Sequence, residues 1–187
     1  NIYNTKTKKI DKYSFKAKKT NTVALNIYGM YFDKKTNLLW CNTYGDGIVV
    51  FDCNTFSFIP EDNLSQLFPQ WNQSMFTSKI VFDKVDNSVW FIDGIVLWRV
   101  SNNTVHMFYE SDSTSECTDG FFCNDIIQTT SGTIYTAGYS GFKWFDRKDN
   151  CLKNITFPHC NFADAKSLLE DAHGTIWVTT PDALYRY

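Results

Sequence analysis

The sequence lacks any long apolar run, and this absence limits how the chain can meet a membrane. None of its apolar stretches approaches the roughly 20 residues that a membrane-spanning helix needs. A basic stretch followed by an apolar core, the mark of a signal peptide, is also missing. Because the chain begins directly in strand-like residues, Ile2-Tyr3, we expect a mature or excised segment. Membrane attachment is then expected only through downstream segments of a parent polypeptide.

The sequence also lacks a strong charge of either sign. Its formal net charge is −2 and its pI is about 5.9, so nucleic acid is not an expected partner. One basic cluster occurs near the start, within residues 6–19. Its lysines alternate with strand-like residues, as in Lys12-Tyr13-Ser14-Phe15-Lys16. This pattern favours a solvated edge strand, which lysine protects from aggregation, over a phosphate site.

Metal-binding spacings are absent too. No two of the six cysteines form a C-x-x-C pair, and the three histidines are scattered, so neither a metal site nor a cofactor is expected. In an oxidising compartment Cys117 could bridge to Cys123, or Cys151 to Cys160. Buried free thiols are the alternative, and the sequence slightly favours them.

Helical periodicity is missing throughout, apart from a single turn that could form within 161–169. Aromatic residues, by contrast, make up 17% of the chain, and such side chains suit pleated, half-buried strands. The composition therefore predicts an all-β domain.

An internal repeat organises the whole chain. It is marked by Trp40, Trp90, Tyr135 and Trp177, which are 50, 45 and 42 residues apart. Three residues before each aromatic is a residue type that accepts a positive φ in a tight hairpin: Asn37, Asn87, Gly132 and Gly174. Each unit reads as four short strands joined by turns, an antiparallel meander. We therefore predict a β-propeller, present as a partial arc of about four blades.

The predicted blade boundaries follow from this period. Residues 1–20 would be the last strands of a preceding blade, and 161–187 an incomplete blade. The full blades would cover 21–65, 66–110 and 111–160. Runs such as Ile48-Val49-Val50-Phe51 indicate strands that are buried on both faces by neighbouring blades. The repeated aromatics are accordingly predicted to pack between blades rather than to bind a ligand.

Two segments resemble a known repeat family. The segment from Glu170 to Thr180, EDAHGTIWVTT, is similar to the E-D-x-x-G-x-I-W-[IV]-x-T core of the two-component regulator propeller repeat. The segment from Asp119 to Ile126, DGFFCNDI, resembles the G-L-x-x-N-x-I segment that introduces a blade in that family. The fourth repeat matches well, whereas the first three are degenerate.

The resemblance implies a sensory role. In that family, tandem propellers of about seven blades form the periplasmic sensor of hybrid two-component systems, followed by a membrane span and a histidine kinase. Many of these sensors respond to oligosaccharides and work as dimers. The expected function is therefore an extracytoplasmic sensor of an oligosaccharide that controls a histidine kinase in a parent protein anchored to the inner membrane. The expected partners are an oligosaccharide, further blades and a second copy, because open blade faces would expose apolar surface.

Candidate ligand-binding residues are aromatic and polar side chains in turns or, for Trp71, in the long insertion 60–78, which could stack on sugar rings and bond hydroxyls. They are Tyr44, Asp46, Trp71 and Tyr139. For that insertion the alternative, a surface connection with one buried tryptophan, is favoured. A protein-interaction scaffold is the alternative, and a propeller lyase or hydrolase is less favoured. His173 near Asp171 is the best candidate for catalysis, but this pair falls in a hairpin turn. We therefore predict a structural role for it, and no catalytic residues.

Overall fold

The computed structural model describes residues 2–13, 26–44, 48–60, 77–93, 96–101, 104–108, 122–160 and 162–187. All regular structure in these ranges is β-strand, which confirms the predicted all-β class. No helix in them is long and apolar enough to cross a membrane. The helical turn considered within 161–169 does not form in the described part of that segment, where Ser167–Glu170 is a strand.

The strands form five consecutive antiparallel sheets. Sheet 1 has two strands, β1 (Ile2–Asn4) and β2 (Lys9–Asp11). Sheet 2 contains β3 (Asn26–Asp33), β4 (Leu38–Tyr44), β5 (Ile48–Asp52) and β6 (Ser57–Phe58). Sheet 3 contains β7 (Thr77–Phe82), β8 (Val89–Asp93), β9 (Val96–Ser101) and β10 (Thr104–Phe108).

Sheet 4 contains β11 (Cys123–Gln128), β12 (Ile134–Gly138), β13 (Gly141–Asp146) and β14 (Cys151–Asn154). Sheet 5 has three strands, β15 (Ser167–Glu170), β16 (Ile176–Thr179) and β17 (Leu184–Arg186). Strands within a sheet follow chain order, so sheets 2 to 5 are meanders, as the repeat predicts.

The first strands of sheets 2 to 5 lie side by side. Strand β3 contacts β7, β7 contacts β11, and β11 contacts β15. We call these four the inner strands. Their successive contacts place the sheets as consecutive blades of an open propeller arc, which confirms the predicted fold class.

The tight turns form where the repeat places them. Asn37 and Asn87 have φ of 60°, and Gly132 and Gly174 have φ of 92° and 81°. Each of them closes the hairpin between the first two strands of its sheet. The sequence prediction that these positions need a left-handed backbone is therefore confirmed.

Hydrophobic clusters fill the three junctions between sheets 2 and 5. Strand β8 illustrates how this works, because its side chains alternate between two clusters. Val89 and Phe91 pack toward sheet 2, whereas Trp90 and Ile92 pack toward sheet 4. Both faces of the strand are thus apolar and buried, as predicted.

The repeated aromatics contact the next sheet. The Trp40 ring lies 5.3 Å from that of Phe82, and the Trp90 ring lies 4.8 Å from that of Phe145. Tyr135 lies 5.8 Å from Tyr187. The prediction that these residues pack between blades is therefore confirmed at all three junctions.

The cysteine expectations need correction. Cys151 is disulfide-bonded, but Cys123 and Cys160 are free, so both pairings suggested by the sequence are wrong. Cys41 and Cys123 are buried free thiols. Cys117 lies outside the described residues. Nearness in the sequence misled the prediction because Cys123 points into the core cluster of sheets 3 and 4, away from its neighbours along the chain.

Candidate functional site

The blades present two faces, one at each end of their strands. At the hairpin face lie the turns between the first two strands of each sheet. Gln128 Nε2 donates to Asp83 Oδ1 there at 2.7 Å, and Thr130 N donates to Glu170 Oε2 at 2.7 Å. At the opposite end, the connection face, lie the turn between β12 and β13 and the connection from sheet 4 to sheet 5. The turn that carries the sequence-predicted ligand residue Tyr139 belongs to the connection face, where β4 also ends at Tyr44.

The structure tests the position of one predicted ligand residue in detail. Tyr139 lies in the turn between β12 and β13 and is 54% exposed. Tyr44 ends β4, but its side chain, like all of Asp46 and Trp71, lies outside the described residues. The role of these three residues in ligand binding therefore stays a prediction.

Tyr139 is held against two neighbouring segments. Its amide donates to Phe122 O at 3.1 Å, and its own carbonyl accepts the amide of Asp164 at 3.0 Å. The ring of Phe122, 45% exposed, meets the Tyr139 ring edge to face at 5.8 Å. Two exposed aromatic surfaces thus lie next to each other on a fixed backbone.

An ion pair lies beside the Tyr139 ring. The Lys166 ammonium is 5.0 Å from the ring centre and 2.5 Å from Asp164 Oδ1. The hydrogen bond from Lys166 to Asp164 raises the pKa of the lysine. Asp164 has a left-handed backbone, φ 57°, which aspartate tolerates better than most residues. A donor and an acceptor are therefore presented together, without net charge, next to an aromatic ring.

A cleft of about 310 Å³, which Tyr139 helps to line, opens next to this ring. Its polar walls come from Ser140, Asn154 and Thr156, all exposed, and its apolar floor from Phe142 and Phe162, which are buried. The volume is at the lower end of the roughly 300–1,000 Å³ typical of ligand sites. Ring surface, hydroxyls and an amide converge here, a combination that suits a polar ligand with an apolar face.

The connection is anchored by the inner strands. Asn124 Nδ2 donates to Ala165 O at 2.9 Å, and Asp125 Oδ2 accepts the amide of Leu168 at 2.8 Å and the Ser167 hydroxyl at 3.2 Å. Asp125 also pairs with Lys79 of sheet 3. One carboxylate therefore ties three successive sheets together and fixes the segment that carries Lys166.

A β-bulge shared by three inner strands positions these side chains. Strands β3, β7 and β11 each have a bulge in the register, just before Gly29, Lys79 and Asp125. In sheet 2 the position is glycine because the Asn42 amide occupies the space: a Cβ on Gly29 would lie 2.5 Å from Asn42 Oδ1. Sheets 2, 3 and 4 thus each place a polar group at the bulge position of their inner strand.

A larger cleft, about 640 Å³, opens at the hairpin face between sheets 4 and 5. Tyr135, Trp144 and Tyr187 line it. Tyr139 is not among the residues that line this cleft, so we place the candidate site at the connection face.

The alternative catalytic pair has a structural role. Asp171 Oδ1 accepts the amides of His173 and Thr175 at 2.8 and 3.1 Å, and its Oδ2 accepts the Trp177 indole N–H at 2.9 Å. The carboxylate is fully used in closing the turn, as the sequence predicted. Among the described residues, no three His, Cys, Asp or Glu side chains are placed to hold a metal ion.

Several residues of this site were missed from the sequence. Asp164 and Lys166 lie in a connection that does not repeat, and Phe122 occupies a variable position of the family-like segment, so the repeat gave no signal for them. Asn124 did have a sequence signal, because it occupies the asparagine position of the family-like segment. Its bond to Ala165, however, could not be predicted from that match.

Comparison with known proteins identifies related folds. No family model matches the sequence, and no curated protein matches it. Among solved structures, the extracellular domain of a putative hybrid two component system from B. thetaiotaomicron is similar with a TM-score of 0.67 at 19% identity, over 94% of this chain and 22% of that chain. The chain therefore spans about a fifth of that domain.

Two other propellers are also similar. The WD40 β-propeller domain of Doa1 matches with a TM-score of 0.57 at 15% identity, over 86% of this chain and 49% of that one. A catalytically inactive virginiamycin B lyase from Staphylococcus aureus matches with a TM-score of 0.56 at 11% identity, over 87% and 55%. At these identities the likeness establishes the propeller fold alone.

Proposed function

We propose that this chain is part of an extracytoplasmic ligand-sensing propeller, and that it binds an oligosaccharide at the connection face. The observation that carries the proposal is the exposed Tyr139 ring, which lies beside the Lys166–Asp164 pair and lines a small polar cleft. Sugars have apolar ring faces and many hydroxyls, so a binding surface needs aromatic area together with adjacent donors and acceptors. The connection face supplies both.

Two observations support an extracytoplasmic location. The similarity to the extracellular domain of a hybrid two component system covers nearly the whole chain. The disulfide at Cys151 also favours an oxidising compartment, because structural disulfides are rare in the cytosol. In the proposal, ligand binding here controls a histidine kinase in the parent polypeptide.

The terminal sheets suggest the remaining partners. Leu169 and Leu184 of sheet 5 are 63% and 61% exposed, and Met30 of β3 is 66% exposed. By contrast, Leu97 and Phe142, the residues of sheets 3 and 4 at the position of Leu184, are buried, as is Ile126 of sheet 4 at the position of Met30. We therefore propose that these faces pack against further blades or, in the isolated chain, against a second copy.

A thermal-shift screen tests the proposal. The full-length extracytoplasmic region would be heated with a panel of plant, fungal and host oligosaccharides. A ligand that binds only the folded state at about 100 times its Kd stabilises it by about 2.7 kcal/mol, so one glycan class should raise the unfolding temperature. If a sample shown to be folded responds to no glycan, the oligosaccharide assignment is wrong.

A further inference from the structure

We propose that the connection-face site selects a neutral saccharide, with two adjacent hydroxyls bonded by Lys166 and Asp164 and the sugar ring stacked on Tyr139. This inference rests on the proposed function and specifies its ligand class. The alternative within the same class is an acidic saccharide that carries carboxylates or sulfates.

The charges at the site decide between these two ligands. Lys166 is compensated by Asp164 at 2.5 Å, and Lys79 is compensated by Asp125. Among the described residues of this face, the cation that lies beside the Tyr139 ring thus has a carboxylate partner, and so does Lys79 of the inner strand β7. An acidic saccharide would have to displace Asp164 from Lys166 and would then face an unpaired carboxylate, which is costly.

The ion pair has the hydrogen-bonding pattern of a diol. An ammonium only donates and a carboxylate only accepts, and the two groups are adjacent and partly exposed, 44% for the Lys166 side chain and 33% for that of Asp164. Each sugar hydroxyl both donates and accepts. Two neighbouring hydroxyls can therefore bond one to Lys166 and one to Asp164 without either charge losing its partner.

The backbone keeps this pair in place without the ligand. The amides of Asp164 and Lys166 donate to Tyr139 O and Thr179 O at 3.0 and 2.7 Å, and Ala165 O accepts the Asn124 side chain at 2.9 Å. Three consecutive residues are thus bonded to the turn between β12 and β13, to β11 and to β16. Such preorganisation lowers the entropy cost of binding.

Isothermal titration of the full-length extracytoplasmic region tests the inference. The probes are neutral oligosaccharides of glucose, xylose, mannose and arabinose, and acidic ones, oligogalacturonate and chondroitin sulfate, at about 0.05 and about 0.5 M NaCl. Because no net charge is engaged, a neutral glycan should bind with a Kd that changes less than about twofold with salt. Binding of an acidic glycan alone, weakened strongly by salt, would overturn the inference while leaving the oligosaccharide proposal intact.

Matched variants locate the binding. Tyr139→Ala and the pair Lys166→Met with Asp164→Asn should each weaken neutral-glycan binding by about tenfold or more, because they remove the stacking surface and the paired bonds. Asparagine also tolerates the left-handed backbone at 164, so folding is preserved. Lys148→Met, at an exposed lysine near the hairpin face, should bind like the wild type. Unchanged neutral-glycan binding by Tyr139→Ala would overturn the inference, and the absence of any glycan binding would overturn the proposed function itself.

Discussion

The guanidinium of Arg147 in sheet 4 bonds the buried carboxylate of Asp83 in sheet 3, with 2.9 Å between Nη2 and Oδ1. The same guanidinium bonds Asp86 at 2.7 Å, and Asp86 in turn bonds Arg99 at 2.7 Å. Arg99 lies over the Phe145 ring at 4.8 Å. Two aspartates and two arginines therefore join sheets 3 and 4 at the hairpin face, above the apolar cluster that fills the same junction.

Replacing Arg147 should destabilise the chain markedly. The Arg147→Met variant keeps the aliphatic stem but leaves Asp83, whose side chain is fully buried, without its cation. Removing one partner of a buried ion pair typically costs 3–5 kcal/mol. Gln128 and the Val85 amide still bond Asp83, and Arg147 is itself partly exposed. We therefore expect the free energy of unfolding to fall by a smaller amount, about 2–3 kcal/mol. Urea unfolding of this variant beside Lys148→Met measures the difference, and equal stabilities would contradict the account.

Two hairpin glycines provide a matched test of the turn geometry. Both have a positive φ, which costs an L-residue about 1–2 kcal/mol. A Cβ on Gly132 would lie 2.7 Å from Val85 Cγ2, whereas a Cβ on Gly174 meets nothing within 4 Å. Gly174→Ala should therefore lower the free energy of unfolding by about 1 kcal/mol. Gly132→Ala should lower it by about 1 kcal/mol more, because the neighbouring hairpin must move. Thermal unfolding of both variants shows which one is less stable. A lower unfolding temperature for Gly174→Ala than for Gly132→Ala would contradict this account.

Cysteine reactivity should follow burial. Burial raises the pKa of the Cys41 thiol to about 11 and also raises that of Cys123, so both stay protonated at pH 8. Iodoacetamide should label the exposed Cys160 first, and Cys41 and Cys123 only after unfolding. Without reductant, mass spectrometry should find Cys151 linked to another cysteine-containing peptide. Rapid labelling of Cys151 in the unreduced protein would show that the disulfide is absent.

Stability should fall in acid partly through Asp86. Burial by itself raises the pKa of Asp86, but hydrogen bonds from Ser88 and the Arg99 guanidinium outweigh it, so that its pKa lies below the usual range. A carboxyl with a lowered folded-state pKa contributes stability above its unfolded pKa of about 3.9, and this contribution is lost as the pH falls through the lower folded value. Between about pH 5 and about pH 2.5, the unfolding temperature of Asp86→Asn should decline less steeply than that of the wild type. Parallel curves would exclude this role for Asp86.

The fold could be predicted from the sequence because its determinants recur. Asn37, Asn87, Gly132 and Gly174 occur at one position of the repeat and share one backbone conformation, so each supports the assignment of the others. The contacts between sheets were not predictable in the same way. Asp83 and Arg147 are 64 residues apart, and neither has an equivalent partner in the other repeats.

The candidate site was predictable only in part. Tyr139 was found because an aromatic side chain in a turn is conspicuous. Its neighbours Asp164 and Lys166 belong to a connection whose path is set by bonds to Tyr139 O and Thr179 O. No local pattern encodes those bonds, because they depend on how sheets 4 and 5 pack together.

Hydrogen exchange with and without the glycan found by screening tests the central claim most directly, because it locates the ligand on the folded chain. Saturating ligand should slow exchange in the turn at Tyr139 and Ser140 and in the connection 162–166, while the hairpin turns at Gly132 and Gly174 should be unaffected. Protection confined to the hairpin face, or binding without protection of either the turn or the connection, would contradict the assignment of the ligand site to the connection face.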